Sequence, residues 1–286
     1  MSEYRHIEVR PLTRALGAEI RGVDLSQTLS DDVFEELHQA FLERLVLFFR
    51  DQHMTREQHI AFGKRFGELN VHPFVESISE EHPEIIPVVK EADDKGGNFG
   101  GAWHSDVTFL ERPSLGAILY NKETPPYGGD TLWANMYLAY ETLSPGMQQM
   151  LSNMRAVHSA QYAYGEASPY VSSTLRSMKI KTGTGLEKGE VLHPVVRTHP
   201  ETGRKILFVN PAFTARFENM SRAESEPLLS YLYEHATQPQ FTCRFHWEPN
   251  SVAFWDNRCT WHNALNDYQG YRRAGERVTV IGDRPQ

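Results

Sequence analysis

Hydrophobic residues recur along this chain with two different periods, and each period predicts a different element. After Ser30, a good helix N-cap, Phe34, Leu37 and Phe41 follow one another at helical spacing. We therefore predict a helix that begins after Ser30. Residues 46–49 form a short apolar run, which is typical of a buried strand.

Capping signals mark the starts of further helices. Thr55 and Ser221 each begin a capping-box pattern, with Gln or Glu three residues later. Gly67 is expected to close the helix that Thr55 opens. Two more helices are predicted at 134–143 and 145–154, the second with Pro at its first position.

Short strand-like runs separated by turn residues make up much of the remaining chain. They lie at 7–10, 17–20, 23–25, 115–120, 130–133, 195–196, 206–209, 241–247, 252–255 and 278–281. Many short strands with helices segregated between them predict one domain over 1–286, mixed β with flanking α, either a sandwich or a jelly roll. Residues 160–190 have little periodicity, so we predict a surface insertion that either closes over a site as a lid or is a plain flexible loop.

Composition narrows the class of protein. With 40% hydrophobic and 23% charged residues, the chain has an ordinary globular composition. Its two cysteines, Cys243 and Cys259, are too few for a disulfide scaffold or a thiolate metal cluster. A net charge of −8 argues against nucleic acid as a partner. No apolar run approaches the ~20 residues that span a bilayer, and the first residues lack a signal-peptide pattern, so we expect no membrane partner and a cytoplasmic location.

The candidate chemistry starts at His104 and Asp106. In an extended segment, residues two apart point to the same side, so this imidazole and this carboxylate would converge. Together they make two thirds of the facial triad that holds non-haem Fe(II). A surface hydrogen bond between the two side chains is the alternative explanation of such a pair.

A third ligand must come from another of the 13 histidines. Helical or turn positions favour a structural role for His38, His53, His82, His199 and His235. His6 is close to the N-terminus, and His59, His158 and His246 have no supporting neighbours in the sequence, so three candidates remain: His72, His193 and His262. We favour His262, which follows a predicted strand that ends in a polar turn.

Two arginines follow His262 at strand spacing. Arg273 and Arg277 would share one face of a strand, so both guanidinium groups could point into the same cavity as the metal. Guanidinium groups bind carboxylates and sulfonates through paired donors. Surface salt bridges are the alternative for both side chains.

Four sequence motifs of this chain carry a resemblance to a known family. The chain carries WHSDVTF at 103–109, GGDTLW at 128–133, HPVVRTHP at 193–200 and WDNR at 255–258, in that order. With the segment 17–25 and the two arginines, these motifs cover nearly the whole chain. The chain resembles the taurine dioxygenase / 2,4-dichlorophenoxyacetate dioxygenase (TauD/TfdA) family of Fe(II)- and 2-oxoglutarate-dependent enzymes.

The resemblance implies a double-stranded β-helix (jelly-roll) core and a set of site residues. Carried over to this chain, His104, Asp106 and His262 become the iron ligands and the catalytic centre. Thr131 and Arg273 become the partners of the distal carboxylate of 2-oxoglutarate. The implied reaction uses Fe(II), 2-oxoglutarate and O2, converts 2-oxoglutarate to succinate and CO2, and hydroxylates a substrate C–H bond.

The same resemblance implies a small anionic organic substrate, held by His72, Arg277 and the backbone near Val107. The intact His72-Pro73 step favours an alkyl sulfonate or sulfate ester, which would release sulfite or sulfate and an aldehyde. Segments 74–75 and 98–101 offer few acceptors for the ammonium group of taurine, which favours an apolar tail. The resemblance also implies a homo-oligomer, a dimer or a tetramer.

Three alternatives stay open beside this prediction. Residues 227–237 look like those of aryloxyalkanoate-degrading members, which release a phenol. A jelly-roll binding protein without turnover would have no need to keep the triad together with Thr131 and Arg273. A zinc hydrolase could use the same three ligands, but it would leave those two residues without a role.

Overall fold

The structure is a computed structural model that describes residues 4–166, 168 and 178–286, and most of its regular structure is β. The strands of this part are β1 Glu8–Pro11, β2 Ala18–Arg21, β3 Val46–Phe49, β4 Ile85–Lys90, β5 Ser114–Glu123, β6 Thr131–Asn135, β7 Arg155–Ser159, β8 Glu190–Pro194, β9 Val196–Thr198, β10 Lys205–Leu207, β11 Thr214–Phe217, β12 Thr242–Phe245, β13 Ser251–Asp256, β14 Thr260–Ala264 and β15 Arg273–Ile281. The α-helices are α1 Asp31–Arg44, α2 Arg56–Lys64, α3 Met136–Glu141, α4 Pro145–Leu151, α5 Gln161–Tyr164 and α6 Arg222–Ala236.

The largest sheet has seven strands in the order β1-β2-β3-β13-β5-β15-β4. Its neighbours pair antiparallel except β2 and β3, which run parallel. A three-stranded sheet has the order β12-β6-β14, another has the order β11-β7-β8, and β9 pairs with β10. The predicted mixture of many short strands with flanking helices is confirmed.

Aromatic side chains fill the space between the seven-stranded sheet and the sheet β12-β6-β14. Phe48 of β3 stacks on Phe245 of β12, with ring centroids 4.0 Å apart. Trp133 of β6 lies 5.9 Å from Trp255 of β13. All four side chains are buried in one cluster, so these two sheets face each other across a common core.

Helices α1 and α2 cover the opposite face of the large sheet. Phe41 of α1 stacks on Phe254 of β13 at 4.1 Å, and Phe62 of α2 packs edge-on against the same ring. Strand β13 is therefore buried on both faces. That burial explains why its sequence is a continuous apolar run without alternation.

The predicted helix starts are confirmed at the level of single hydrogen bonds. The Ser30 hydroxyl accepts from the backbone N–H of Val33. Thr55 and Ser221 each form the complete capping box at the starts of α2 and α6. Local side-chain to backbone bonds were sufficient to locate these three starts from sequence.

Three other predictions were wrong: the start of one helix, the end of another, and a strand at 23–25. Helix α3 starts at Met136 because Asn135, the last residue of β6, caps it by accepting from two backbone N–H groups. Helix α2 ends at Lys64, before Gly67. Residues 23–25 are not a strand, because the Asp24 carboxylate accepts from the Ser26 N–H and turns the chain.

The predicted insertion at 160–190 is packed at some of its described residues and exposed at others. Helix α5 buries Ala163 and Tyr164. Farther along, Lys181 donates its backbone N–H to the carbonyl of Phe74, which ties this segment to the loop after His72. Residues 167 and 169–177 lie outside the described residues, and the lid stays a prediction.

Two findings concern the membrane prediction and the two cysteines. Within the described ranges, no helix has the length and apolar character required to cross a bilayer. Cys243 and Cys259 are both free and buried. Burial raises the pKa of the Cys243 thiol to about 12, so this thiol is protonated and unreactive at neutral pH.

Buried neutral histidines predict a loss of stability in acid. Burial lowers the pKa of His59 and of His193 to about 4 in the folded chain, against about 6.5 in the unfolded chain. Between these values only the unfolded chain binds the proton, so the free energy of unfolding should fall as pH drops from about 6.5 to 4. The expected slope is about 1.4 kcal/mol per pH unit for each histidine.

Urea unfolding between pH 4 and 8 measures this slope. The His59→Gln variant lacks one of these histidines, so the slope of its unfolding free energy against pH should be smaller than that of wild type by about 1.4 kcal/mol per pH unit. His53, whose side chain is 71% exposed, supplies the control, and His53→Asn should keep the wild-type slope. An unfolding free energy that stays flat in wild type across this range would contradict the prediction.

Candidate active site

His104 and His262 lie side by side in the structure. They form an isolated antiparallel bridge, in which each backbone N–H donates to the other's carbonyl at 3.1 and 2.8 Å. Their ring centroids are 4.0 Å apart. His262 follows strand β13 and the turn at 257–259, as predicted, and lies within the next strand, β14, opposite Trp133 of β6. The structure therefore brings these two predicted site residues together.

Asp106 completes the cluster through a turn and not through a strand. The segment after His104 bends, and the N–H of Leu110 donates to the carbonyl of Val107. The predicted extended segment was therefore wrong, although the convergence that it implied is present. Asp106 oxygens lie 3.7 Å from His104 Nε2 and 3.9 Å from His262 Nε2.

These three side chains fit a divalent metal ion. Their candidate ligand atoms all lie within 4.8 Å of one another, and all three residues are buried. His104 Nδ1–H donates to the carbonyl of Ala102 at 2.7 Å, which leaves Nε2 with a free lone pair. Burial lowers the pKa of both imidazoles, so they are in the neutral form that binds metal. Two imidazoles and one carboxylate are the donor set that suits Fe(II) with open positions.

Asn257 holds the Asp106 carboxylate in place, a role that sequence reasoning missed. Its side-chain N–H donates to Asp106 Oδ2 at 3.2 Å, while its Oδ1 accepts from the Asp106 backbone N–H at 3.1 Å. The Trp255 indole N–H also donates to Oδ1, which fixes the orientation of the amide. The motif WDNR at 255–258 was the available signal, but nothing in it showed which side chain would face Asp106.

Arg277 forms a buried ion pair with the same carboxylate. Its Nη1 lies 3.0 Å from Asp106 Oδ1, and both side chains are 5% exposed. Burial alone would raise the pKa of Asp106, but the Arg277 charge and the hydrogen bond from Asn257 outweigh it and hold the pKa well below its usual value. Asp106 is therefore ionised at any physiological pH, as a metal ligand must be.

Arg273 and Thr131 line a cavity whose wall also includes His262 of the triad. The polar lining of this cavity consists of Thr131, Arg273, Arg277 and His262. The Nε and Nη2 groups of Arg273 are buried and have no hydrogen-bond partner among the described residues. These two donors lie on one edge of the guanidinium and match the two oxygens of a carboxylate. The unpartnered edge thus offers a carboxylate a receptor in the same cavity as His262 of the triad.

His72 and Val107, the remaining predicted site residues, are both buried. The Nδ1 atom of His72 accepts from the backbone N–H groups of Phe74 and Val75, so its proton is on Nε2. Burial and the nearby Arg277 charge lower the pKa of His72 to about 3, and it is a neutral donor. Val107 is buried with φ of 47°, a strained conformation for a β-branched residue and one typical of functional sites.

An aromatic chamber borders the metal cluster beside His104. It is lined by Phe99, Gly100, His104, Ala163, Tyr164, Ala212 and Phe213. Phe74 stacks on Tyr164 at 4.7 Å, and Phe213 packs on Phe109 at 5.1 Å. No carboxylate is among the described residues that line this chamber. An apolar group fits it better than an ammonium group does.

The other histidine candidates have structural partners. The ring of His193 lies 3.0 Å from the carbonyls of Thr108 and Leu110, so it supports the loop that follows Asp106. His199, predicted to occupy a turn, is buried and lies 3.1 Å from Asp256 Oδ2.

Asp256, His199 and Cys259 form a second cluster with ligand atoms close enough to hold a metal. Arg258 contacts both oxygens of Asp256, through Nε at 2.9 Å and Nη2 at 2.7 Å. The guanidinium of Arg258 occupies both oxygens of Asp256, whereas Arg277 contacts only one oxygen of Asp106, so this second cluster is a buried structural network.

Comparison with known proteins agrees with this geometry. The model of the family described as "Taurine catabolism dioxygenase TauD, TfdA family" matches residues 8–279. An alkylsulfatase from Acinetobacter baylyi is 36% identical over 98% of this chain and 86% of its own length. An (S)-phenoxypropionate/alpha-ketoglutarate-dioxygenase from Sphingobium herbicidovorans is 36% identical over 96% of this chain and 95% of its own length.

A crystal structure of a taurine dioxygenase from Burkholderia xenovorans superimposes with a TM-score of 0.81 and 38% identity, over 98% of this chain and 93% of that one. The family match extends over nearly all of the sequence and includes every element that carries a residue of the metal cluster. The chain belongs to the TauD/TfdA family of Fe(II)- and 2-oxoglutarate-dependent dioxygenases.

Proposed function

We propose that this enzyme hydroxylates a small anionic organic substrate at the carbon that bears a sulfate or sulfonate group. In this proposal His104, Asp106 and His262 hold the iron, and Thr131 and Arg273 hold the distal carboxylate of 2-oxoglutarate. One observation supports it most strongly: a single cavity joins the unpartnered edge of Arg273 to His262 and Arg277. A hydrolytic zinc site would need no carboxylate receptor in the same cavity as its ligands.

Bound together, Fe(II), 2-oxoglutarate and O2 supply the oxidation that turns a substrate C–H bond into C–OH while 2-oxoglutarate becomes succinate and CO2. The chain's own residues orient the reactants for that step. Arg273 and Thr131 fix one end of the cosubstrate. The buried walls of the cavity exclude water, and His72 and Arg277 hold the anionic group of the substrate beside the metal ligands.

For a sulfate ester the products follow from the bonds. Hydroxylation places OH on the carbon that carries the sulfate oxygen, and the C–O bond to sulfate then breaks as the hydroxyl loses its proton to form the aldehyde. One substrate, one 2-oxoglutarate and one O2 give one aldehyde, one sulfate, one succinate and one CO2. A sulfonate would lose sulfite from the same position by cleavage of its C–S bond.

The donors around the proposed anion site are of two kinds. His72 offers one neutral N–H from Nε2, since its Nδ1 already accepts two backbone bonds. Arg277 offers a charged donor. Its Nε is buried and has no hydrogen-bond partner in the described part of the chain, so this N–H is available to an anion. With the backbone at Val107, these groups suit an anion with several equivalent oxygens, as in a sulfate or sulfonate.

The tail of the substrate is proposed to occupy the aromatic chamber. Each additional buried CH₂ contributes about 0.8 kcal/mol, or roughly a fourfold gain in kcat/KM. We therefore predict that kcat/KM rises along a series of linear alkyl sulfates until the chamber is filled. Taurine, with its ammonium group, should be a poor substrate.

Substitution of Phe213 tests the location of the tail. Phe213→Ala should flatten the dependence of kcat/KM on chain length, whereas Tyr231→Ala, at an exposed position of α6, should leave it unchanged. Steady-state succinate formation over the series measures both variants. Equal kcat/KM for ethyl and octyl sulfate in wild type would show that the tail lies elsewhere.

A second candidate substrate is an aryloxyalkanoate. The rings of Phe74, Phe109, Tyr164 and Phe213 could pack against an aryl group as well as against an alkyl chain. The Sphingobium relative is named for such a substrate. Hydroxylation at the ether carbon would release a phenol.

One panel separates these functions. Succinate release is measured with Fe(II), ascorbate and 2-oxoglutarate for taurine, longer alkanesulfonates, alkyl sulfates and both enantiomers of an aryloxypropionate. Sulfate or sulfite from the sulfur compounds would support the first proposal, and phenol release would support the second. Substrate-dependent succinate with none of these products would refute both substrate classes.

We also infer that the two facing sheets form a double-stranded β-helix. The contacts of Phe48 with Phe245 and of Trp133 with Trp255 support two layers around one core, and the His104–His262 bridge lies at the edge of the smaller sheet, on β14. The single domain over 1–286, the homo-oligomer and the cytoplasmic location stay predictions of the sequence.

A further inference from the structure

Trp247 contacts both residues that we assign to the distal carboxylate of 2-oxoglutarate. It lies two residues beyond β12 and is 2% exposed. Its indole N–H donates to Thr131 Oγ1 at 3.0 Å. The guanidinium carbon of Arg273 lies 5.3 Å from the centroid of its ring.

We propose that Trp247 is a positioning residue for the cosubstrate, acting through Thr131 and Arg273. This inference rests on the proposed role of those two residues. It concerns an indole that no motif of the sequence singles out and that touches none of the three proposed metal ligands.

The hydrogen bond determines what the Thr131 hydroxyl can do. A threonine hydroxyl has one donor and two acceptor positions, whereas an indole N–H only donates. Trp247 therefore occupies an acceptor position of Oγ1 and cannot receive the hydroxyl hydrogen. That hydrogen is left for another acceptor, and a carboxylate oxygen in the cavity is the acceptor that the proposed function supplies.

The ring of Trp247 acts on the second partner. The Nε and Nη2 edge of Arg273 has no partner among the described residues. An aromatic ring beside a planar guanidinium limits its rotation and favours its charge. The two contacts together keep the unpartnered edge available to a carboxylate.

Comparison with Trp133 argues against core packing as the whole explanation. Trp133 is just as buried, and its ring centroid is 6.5 Å from that of Trp247. Yet the indole N–H of Trp133 has no hydrogen-bond partner in the described part of the chain. Of these two neighbouring tryptophans, Trp247 is the one whose N–H is directed at a proposed cosubstrate ligand.

The Trp247→Phe variant tests the role of the N–H, because it keeps a ring beside Arg273. The dissociation constant of 2-oxoglutarate is measured by calorimetry on the Zn(II)-substituted protein, where no turnover occurs. We expect it to rise about five- to tenfold, the loss that corresponds to one hydrogen bond. In the iron enzyme, KM for 2-oxoglutarate should rise similarly, while KM for the organic substrate changes less than about twofold at saturating 2-oxoglutarate.

A double-mutant cycle separates positioning from a general structural effect. Thr131→Val should weaken 2-oxoglutarate binding by itself, and Trp247→Phe added to Thr131→Val should then cost little more. Thr131→Ser, which keeps the hydroxyl, should restore most of the binding and the sensitivity to Trp247→Phe. An equal penalty for Trp247→Phe in the wild-type and Thr131→Val backgrounds would overturn the proposal.

A second measurement covers the case in which Trp247→Phe does not fold. In Zn(II)-substituted protein labelled with ¹⁵N at its indoles, the Trp247 N–H resonance should shift in Thr131→Val and on addition of 2-oxoglutarate. No shift in either experiment would overturn the proposal. If Thr131→Val and Arg273→Lys bind 2-oxoglutarate as wild type does, the proposed cosubstrate site itself is wrong. If they bind weakly and Trp247→Phe does not, only the role of Trp247 fails.

Discussion

Asp106→Ala is expected to abolish turnover and Fe(II) binding together. Loss of a residue that merely orients a metal ligand lowers affinity or activity by 10- to 100-fold, so loss of the ligand itself should cost more than about a hundredfold. Equilibrium dialysis of anaerobic protein against Fe(II) measures the binding, and succinate release measures the turnover. Turnover or Fe(II) binding near the wild-type level would remove Asp106 from the metal site.

Two further variants make this result specific. Asp106→Ala also leaves Arg277 buried without its anion, which destabilises the fold. His104→Ala keeps that ion pair and should give the same loss of Fe(II) and of turnover. Asp32→Ala, at an exposed position in the first turn of α1, should bind Fe(II) as wild type does. Thermal unfolding of each apoprotein shows which variants are folded.

Arg277→Ala is expected to raise KM for the organic substrate by about 10- to 100-fold, the cost of losing a charge-assisted hydrogen bond. Slow decay of 2-oxoglutarate without substrate should persist, because Thr131, Arg273 and the iron ligands are unchanged. The variant should therefore separate cosubstrate consumption from product formation. An unchanged KM would exclude Arg277 from the substrate site.

The neighbouring Arg272 supplies a matched control. Its side chain is 40% exposed and forms surface salt bridges with Glu91 and Glu123. Arg272→Ala should leave both KM values within about twofold of wild type, since surface ion pairs contribute less than about 1 kcal/mol. Arg277→Lys keeps the charge but loses the paired donors, and we expect an intermediate KM.

Features that depend on residues close together in the sequence could be predicted from local patterns. The capping residues Ser30, Thr55 and Ser221 identified three helix starts, because each cap bonds a backbone N–H three residues away. Strand spacing placed Arg273 and Arg277 on one face, and both line the same cavity. The family motifs pointed to His104, Asp106 and His262, and the structure brings these three together.

Features that depend on distant contacts could not be read from the sequence. The turn at Asp106 and the positive φ of Val107 are imposed by bonds to Asn257 and within the loop, and no local signal announces them. His199 looked like a turn residue because its partner, Asp256, is 57 residues away. Trp247 has the sequence context of an ordinary core residue, and only its bond to Thr131 distinguishes it.

The central claim is that this cavity couples substrate oxidation to 2-oxoglutarate at the His104–Asp106–His262 centre. The most direct test is to measure sulfate and succinate together during turnover of octyl sulfate, with and without O2. We predict one sulfate for each succinate, and neither product without O2 or without 2-oxoglutarate. Sulfate release that continues without O2 and without succinate would show a hydrolase and contradict the account.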